Sequence, residues 1–535
     1  MKRCNLLVWS VTGIVSVLAL LTLAVPLNGA GKSVDRGPAV ADMDTYIDAN
    51  ALLMFVENTG LYGRDRANVF NYDYGTFYPY TGTANIINGT NTSSPLYSAG
   101  LWLGGRVGGE VRVTVADYSS EYTPGPMTGG TFDPTSMTNP TYRVYHLYAD
   151  SLAGSPNQDY LDWPTAQGAP VDGLGSPLLI GEQMLWSVFN DADTALHTNH
   201  PGSTDPLGVE IQQWVWAEDV SDMSYQRVIH ILYKLYNKGT NVIDSMYLGL
   251  WFDPDLGNAQ DDRSGCDPAS SQFFCYNGDN DDQQYGTQPP AIGCRILAGP
   301  VVASTGDTAR FGLQTLPEYR NMEMTAFIAE PTGGDPDTAV KSYNLMHGLP
   351  QDGIAPPGWD PFMYDGDPVT GTGELVSFDT DLYMMGSCGP FQFTPGDSQQ
   401  ILIRLAVGHS GDRLTSITAL RNTLALPIEL PTEAPSDDPV LLPSAVILSQ
   451  NYPNPFNPTT TIAYDLVRRS TVNLTIYNVL GQEVAVLDDG VRGPGHHVVE
   501  WNGKDRHGNT AASGVYFYRL TAGDETVTRK MLLLR

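Results

Sequence analysis

The stretch WFDPDLGNAQDD, residues 251–262, places Asp253, Asp255, Asp261 and Asp262 in a glycine-containing loop behind an apolar run. A second stretch, YNGDNDDQQYG, residues 276–286, adds Asp279, Asn280, Asp281 and Asp282. Clustered carboxylates on flexible backbone suit a hard cation that takes about six to eight oxygen ligands. The pattern points to structural calcium, with Asp253, Asp255, Asp261, Asp262, Asp279 and Asp281 as the expected ligands. Neither loop has the EF-hand spacing, which ends on a bidentate Glu. The alternative for both is a plain solvated acidic loop.

Other chemistry is sparse. HTNH offers His197 and His200 for a metal with Asp191 or Asp193, but a His pair in a polar loop is a weak signal. GHSGD at 408–412 resembles a serine-hydrolase elbow without its second glycine at the right offset. There is no H-E-x-x-H and no phosphate-binding glycine loop, so no catalytic residue is assigned. Carboxylate pairs for sugar hydrolysis come from distant strands and cannot be read from spacing. Trp102, Trp163, Trp186, Trp214, Trp216, Trp251 and Trp359 stack on sugar rings if exposed and fill a core if buried. Trp214 and Trp216 share one strand face, a spacing that fits a sugar platform and a core row equally well, and a core row is the expectation.

These residues are carried by strands. Val111, Val113 and Val115 alternate with polar neighbours, the period of a half-buried strand. In VIHILYKLYNKGTNVIDSMYLGLW, Ile229, Ile231, Tyr233 and Leu235 face one way and Met246, Leu248 and Leu250 resume after the turn at 237–241. That pattern predicts a β-hairpin. Residues 389–408 repeat the theme around a Pro-Gly turn. One helix stands out: Leu414, Ile417, Leu420 and Leu424 recur at helical spacing behind Asp412 as N-cap.

A chain of 535 residues with 55 Gly and 38 Pro is too long for one small domain and favours short strands joined by turns. The expected class is all-β: a β-sandwich-rich central region, a small C-terminal immunoglobulin-like sandwich and little helix. The N-terminus reads as a secretory signal peptide over residues 1–30. Lys2 and Arg3 precede an apolar stretch that ends near Ala24 or Ala30; an uncleaved anchor is the alternative. Export implies an extracellular or outer-surface location. With 59 acidic against 29 basic residues, the net charge of −30 disfavours nucleic acid as a partner. Beyond the leader lie Cys266, Cys275, Cys294 and Cys388. An even count in an exported chain fits two disulfides in any of three pairings, Cys266–Cys275 being the first expected; zinc ligation is the alternative, without a C-x-x-C spacing to support it.

Residues 31–45 read as a loose N-terminus and 46–428 as the β-rich region, one domain or two. Residues 429–446, rich in Pro and acid, have linker composition. Residues 447–535 carry about seven strand candidates, the count of a small immunoglobulin-like sandwich. NYPNPFNP at 451–458 lacks the donors of a central strand and reads as an edge or strap.

The C-terminal residues resemble the type A sorting domain of type IX secretion cargo and the immunoglobulin-like domain of flagellar hook-capping proteins. The resemblance rests on Tyr452–Pro458, Ile476–Gly481, Trp501-Asn502-Gly503, Gly508, Ala512–Tyr518 and Lys530–Leu534. Pro453, Pro455, Phe456, Gly481, Gly514, Tyr516 and Lys530 are its marker positions. It implies export by a type IX-like machinery as partner, often with removal of the domain and surface attachment. The central region is similar to large exported proteins that share this tag, and that similarity brings no activity. The expected function is a structural or adhesive surface protein. The alternative is a secreted protein that binds or hydrolyses glycans, with extracellular polysaccharide as partner.

Overall fold

The computed structural model describes residues 44–66, 75–80, 93–149, 157–197, 204–218, 225–428, 430, 446–448, 450–466, 470–493, 495–523 and 525–534. The expected signal peptide and most of the linker lie outside them.

Two antiparallel sheets form the central region. The first has the order β1 (Asp44–Ile47), β2 (Met54–Glu57), β3 (Leu61–Gly63), β4 (Ser98–Val107), β11 (Ile243–Asp253), β18 (Leu382–Phe393), β17 (Ala326–Pro331), with β5 (Glu110–Thr114) on β4. The second has the order β12 (Asp262–Asp267), β13 (Gln272–Asn277), β14 (Ala291–Ala298), β19 (Ser398–Gly408), β10 (Val228–Asn237), β9 (Val209–Ala217), β8 (Gln183–Asn190), β6 (Thr123–Pro124), with β7 (Tyr145–Tyr148) on β8. A hairpin, β15 (Val301–Phe311) with β16 (Gln314–Asn321), stands apart from both. Leu101, Leu248, Leu250 and Met384 of the first sheet and Ile229, Ile231, Ile403 and Leu405 of the second share one buried cluster. The central region is therefore a sandwich closed on a common core.

The stretch expected as a hairpin is not one. β10 pairs with β9 and β19, whereas β11 pairs with β4 and β18. The chain crosses from one sheet to the other, so the two apolar faces meet across the core instead of lying side by side. The β18–β19 connection makes the same crossing, and the two crossings stack. Asn237 ties them: its side-chain amide donates to Asn241 O (3.0 Å) and Phe393 O (2.9 Å).

The outer faces are covered as well. Trp186, Trp214 and Trp216 are buried with Trp163 and Ile180 from the loops over the second sheet. Trp102 and Trp251 stack at 6.4 Å on the outer face of the first sheet, beneath α2 (Ala339–Met346), the helix that follows the single turn α1 (Gln158–Leu161). The expected helix is α3 (Arg413–Leu424), with Asp412 accepting from Leu414 N and Thr415 N in a capping box. It lies directly on the end of β19, where a Cβ on Gly408 would stand 2.2 Å from Leu420 N. Buried Arg404 closes its far end, donating to His230 Nε2 (3.0 Å), Leu424 O (3.0 Å) and Pro427 O (3.0 Å).

The C-terminal domain has seven strands, as expected. One sheet orders β20 (Val446–Leu448), β21 (Thr460–Leu466), β24 (Gly495–Trp501); the other orders β23 (Glu483–Arg492), β22 (Ser470–Asn478), β25 (Gly514–Ala522), β26 (Glu525–Leu533). Its core is its own: Ile462, Tyr464, Leu474, Ile476, Trp501, Tyr518 and Leu520 among others.

Candidate functional site

Asp253 ends β11 and is fully buried. Phe252 pairs with Met384, so the residue entering β18, Asp381, arrives beside it. Oxygens of Asp253, Asp255 and Asp381 lie within 4.8 Å of one another. Three ionised carboxylates at that spacing repel by about 3 kcal/mol or more per pair at an effective dielectric of about 20. Hydrogen-bond donors, protons or a bound cation offset such repulsion. The Tyr118 hydroxyl hydrogen-bonds Asp253, and its pKa is raised by burial and then by that carboxylate.

Asp262 follows in the same loop, with Asp255, Asp261 and Asp282 among its charged neighbours. Asp262 is fully buried at the start of β12; its Oδ2 accepts from Leu256 N at 3.0 Å, and its Oδ1 has no hydrogen-bond partner among the described residues. Burial pushes its carboxyl well above the usual range, and Asp255, Asp261 and Asp282 add to the rise. Asp261 is pushed up to about 6, by burial first and then by Asp282. Asn277, the cross-strand partner of Asp262 on β13, is also fully buried, and neither of its amide atoms has a partner among the described residues.

The two acidic loops meet, through a residue the sequence did not single out as a ligand. Asp282 is buried, and its Oδ2 accepts from Asn258 N at 2.9 Å, pinning the first loop. Gly257 is required there: its φ is +72°, and a Cβ would stand 2.2 Å from Asp282 Oδ1. Asp279 and Asp281 face solvent, joined by an Asp281 N to Asp279 Oδ1 bond of 2.8 Å. They fall outside the trio. Asp381 is the member that sequence spacing missed.

Among the described residues the His reading does not assemble. Both oxygens of buried Asp191 are held by backbone: Leu207 N (2.7 Å), Gly208 N (2.9 Å) and Val209 N (2.7 Å), with Thr114 Oγ1 at 3.0 Å. His197 Nε2 meets Asp191 O at 2.8 Å and Asp193 caps Ala195 N; His200 lies outside the described residues. At 408–412, His409 joins Tyr78 Oη (2.9 Å) and Gln288 O (2.9 Å), and Asp412 is a helix cap, so no triad forms there.

The expected Cys266–Cys275 disulfide is not formed. All four described cysteines are free and buried. The register sets Cys266 opposite Phe273 and Cys275 opposite Ser264, so the two cysteines are diagonal neighbours. Diagonal Cα atoms stand roughly 7–8 Å apart, beyond the span of a disulfide. Burial raises the thiol pKa of each.

At the C-terminal end two of the marker residues, Phe456 and Tyr516, meet on Trp501. Pro453 and Pro455 are exposed, while Phe456 is buried. Phe456 packs on Trp501 (5.6 Å), and Trp501 on Tyr516 (5.2 Å). Phe456 N donates to Leu532 O and Leu534 N to Phe456 O, each at 3.0 Å. The proline segment is thus a strap sealed along β26, as its missing donors require. Gly481 turns β22 into β23, Gly514 begins β25, and Lys530 projects outward from β26 while its carbonyl accepts from Gln450 Nε2 at 2.9 Å.

Residues 457–525 match the FlgD Ig-like domain. Comparison with curated proteins finds no match. Three solved structures align at low similarity. A polysaccharide lyase aligns at 10% identity and TM-score 0.18, over 61% of this chain and 34% of that one. Dimeric latent PorU from Porphyromonas gingivalis aligns at 10% and 0.17, over 61% and 32%. PorZ, a surface component of the type IX secretion system of the same organism, aligns at 11% and 0.14, over 93% and 100%. This chain spans about a third of the first two, and at such TM-scores none of the three fixes a fold or an activity. Among the described residues no helix is long and apolar enough to cross a membrane.

Proposed function

We propose that this is an exported surface or secreted protein, a structural or adhesive β-sandwich delivered by a type IX-like machinery through its C-terminal immunoglobulin-like domain. One observation carries the reading. Marker residues spread from Tyr452 to Leu534 fold into one strapped domain with its own core, over a segment that matches a known Ig-like family. A domain that owns its core can be recognised, and removed, without unfolding what precedes it.

The glycan alternative is less well supported. Trp102, Trp163, Trp186, Trp214, Trp216 and Trp251 are all buried, so these six rings serve the core; Trp359 alone of the seven is half-buried, its indole donating to Gly348 O at 2.6 Å. The test is genetic. Deletion of residues 447–535 is expected to leave a folded sandwich inside the envelope, and grafting 429–535 onto a reporter carrying a signal peptide is expected to export it. Undiminished export of the truncated chain would overturn the proposal.

A further inference from the structure

We infer that Asp253, Asp255 and Asp381, with Asp262 and Asn277 beside them, hold one calcium ion that clamps the end of β11 to the start of β18. This site is independent of the export reading. Its geometry fits the ion. Two oxygens on a calcium bound at about 2.3–2.6 Å can stand no more than about 5 Å apart, and the oxygens of the trio lie within 4.8 Å. The ligands come from the end of one strand, the irregular loop after it and the residue entering a third segment. Such a flexible, carboxylate-rich set suits calcium; magnesium keeps its waters and takes one or two carboxylates in a strict octahedron.

A second observation points to a ligand. Asp262 and Asn277 are fully buried cross-strand partners. Asp262 Oδ1 and both amide atoms of Asn277 have no hydrogen-bond partner among the described residues. The Asp262 carboxylate is held by Leu256 N, one residue beyond Asp255, which sets it against the loop that carries the second member of the trio. Buried oxygens of this kind are costly unless something binds them, and an ion with open coordination positions, directly or through water, supplies that partner. The clamp would fix the long segment before Asp381 to the strand that carries both sheets' central crossing.

The experiment titrates chelator-treated full-length protein with CaCl2 by calorimetry, thermal unfolding and hydrogen exchange. The expected result is one ion per chain with a Kd of roughly 10⁻⁴–10⁻³ M, the range of extracellular modules. Unfolding temperature should rise, and residues 253–262 and 379–384 should gain protection. Asp381→Asn is expected to weaken binding at least about tenfold, since even outer-shell losses cost about 10–100-fold; Asp279→Asn and Asp281→Asn should leave it unchanged. No saturable uptake up to about 10 mM calcium, an unaltered Asp381→Asn, or equal stabilisation by MgCl2 overturns the inference. If Asp381→Asn does not fold, the wild-type exchange map decides: protection confined to residues 279–282 refutes the site.

Discussion

Truncating the strap residue Phe456 to alanine tests whether NYPNPFNP belongs to the C-terminal fold. Phe456 is 2% exposed and rests on Trp501. Phe→Ala in a packed core costs about 3–5 kcal/mol. A domain of about 90 residues has roughly 4–13 kcal/mol in all, so the loss is a large share of its stability. Each kcal/mol moves the midpoint of such a domain by about 4–8 °C, so Phe456→Ala should lower the C-terminal transition by about 12 °C or more. Differential scanning calorimetry of the full chain reads this, with exposed Lys530→Ala as a control expected to stay within about 0.5 kcal/mol. In cells, Phe456→Ala should lose export in proportion to unfolding, whereas Lys530→Ala separates recognition from folding. A C-terminal transition that moves by less than about 2 °C, well under 1 kcal/mol on that scale, would refute the strap as part of the domain and detach the marker residues from one another.

Further expectations follow from buried polar groups. Asp191→Ala would strand the amides of Leu207, Gly208 and Val209. At about 1–3 kcal/mol each, it should cost about 3 kcal/mol or more by denaturant midpoint, with Asp191→Asn milder; a cost under about 1 kcal/mol contradicts the structural role. His146 is buried, and burial lowers its pKa to about 4, against the opposing pull of Asp48 and Asp159. A base depressed in the folded state takes its proton more readily when unfolded. Stability is therefore full above the unfolded pKa of about 6.5 and falls as pH drops towards 4, by about 1.4 kcal/mol per unit. Between pH 7 and pH 4.5, wild type should lose about 2–3 kcal/mol more than His146→Gln; parallel losses would contradict this.

Much of the architecture was legible because the side-chain period reports which face is buried. The alternation of Ile229 to Leu235 and of Met246 to Leu250, the helix behind Asp412 and the seven C-terminal strands all came through. Period does not report the partner. A crossing between sheets and a hairpin have the same alternation, so β10 and β11 were expected side by side and instead face each other. The same limit hid Asp381, which reaches Asp253 only because β18 pairs with β11, and it misjudged Cys266 and Cys275, whose register could not be read from a short loop. Acidic loop composition located the cluster but did not separate the inward Asp253, Asp255 and Asp262 from the outward Asp279 and Asp281.

The most direct measurement is the intact mass of the native protein, from culture medium and from washed cells, with and without reduction. The account predicts a chain lacking about 30 residues at its start, the usual length of a leader, and the C-terminal domain at its end, with no mass gain on reduction of the buried thiols. Surface-attached material would carry extra mass from its anchor. Full-length chain with residues 447–535 intact on the cell surface or in the medium would contradict removal of the domain. The same chain retained only inside the envelope would contradict the export account itself.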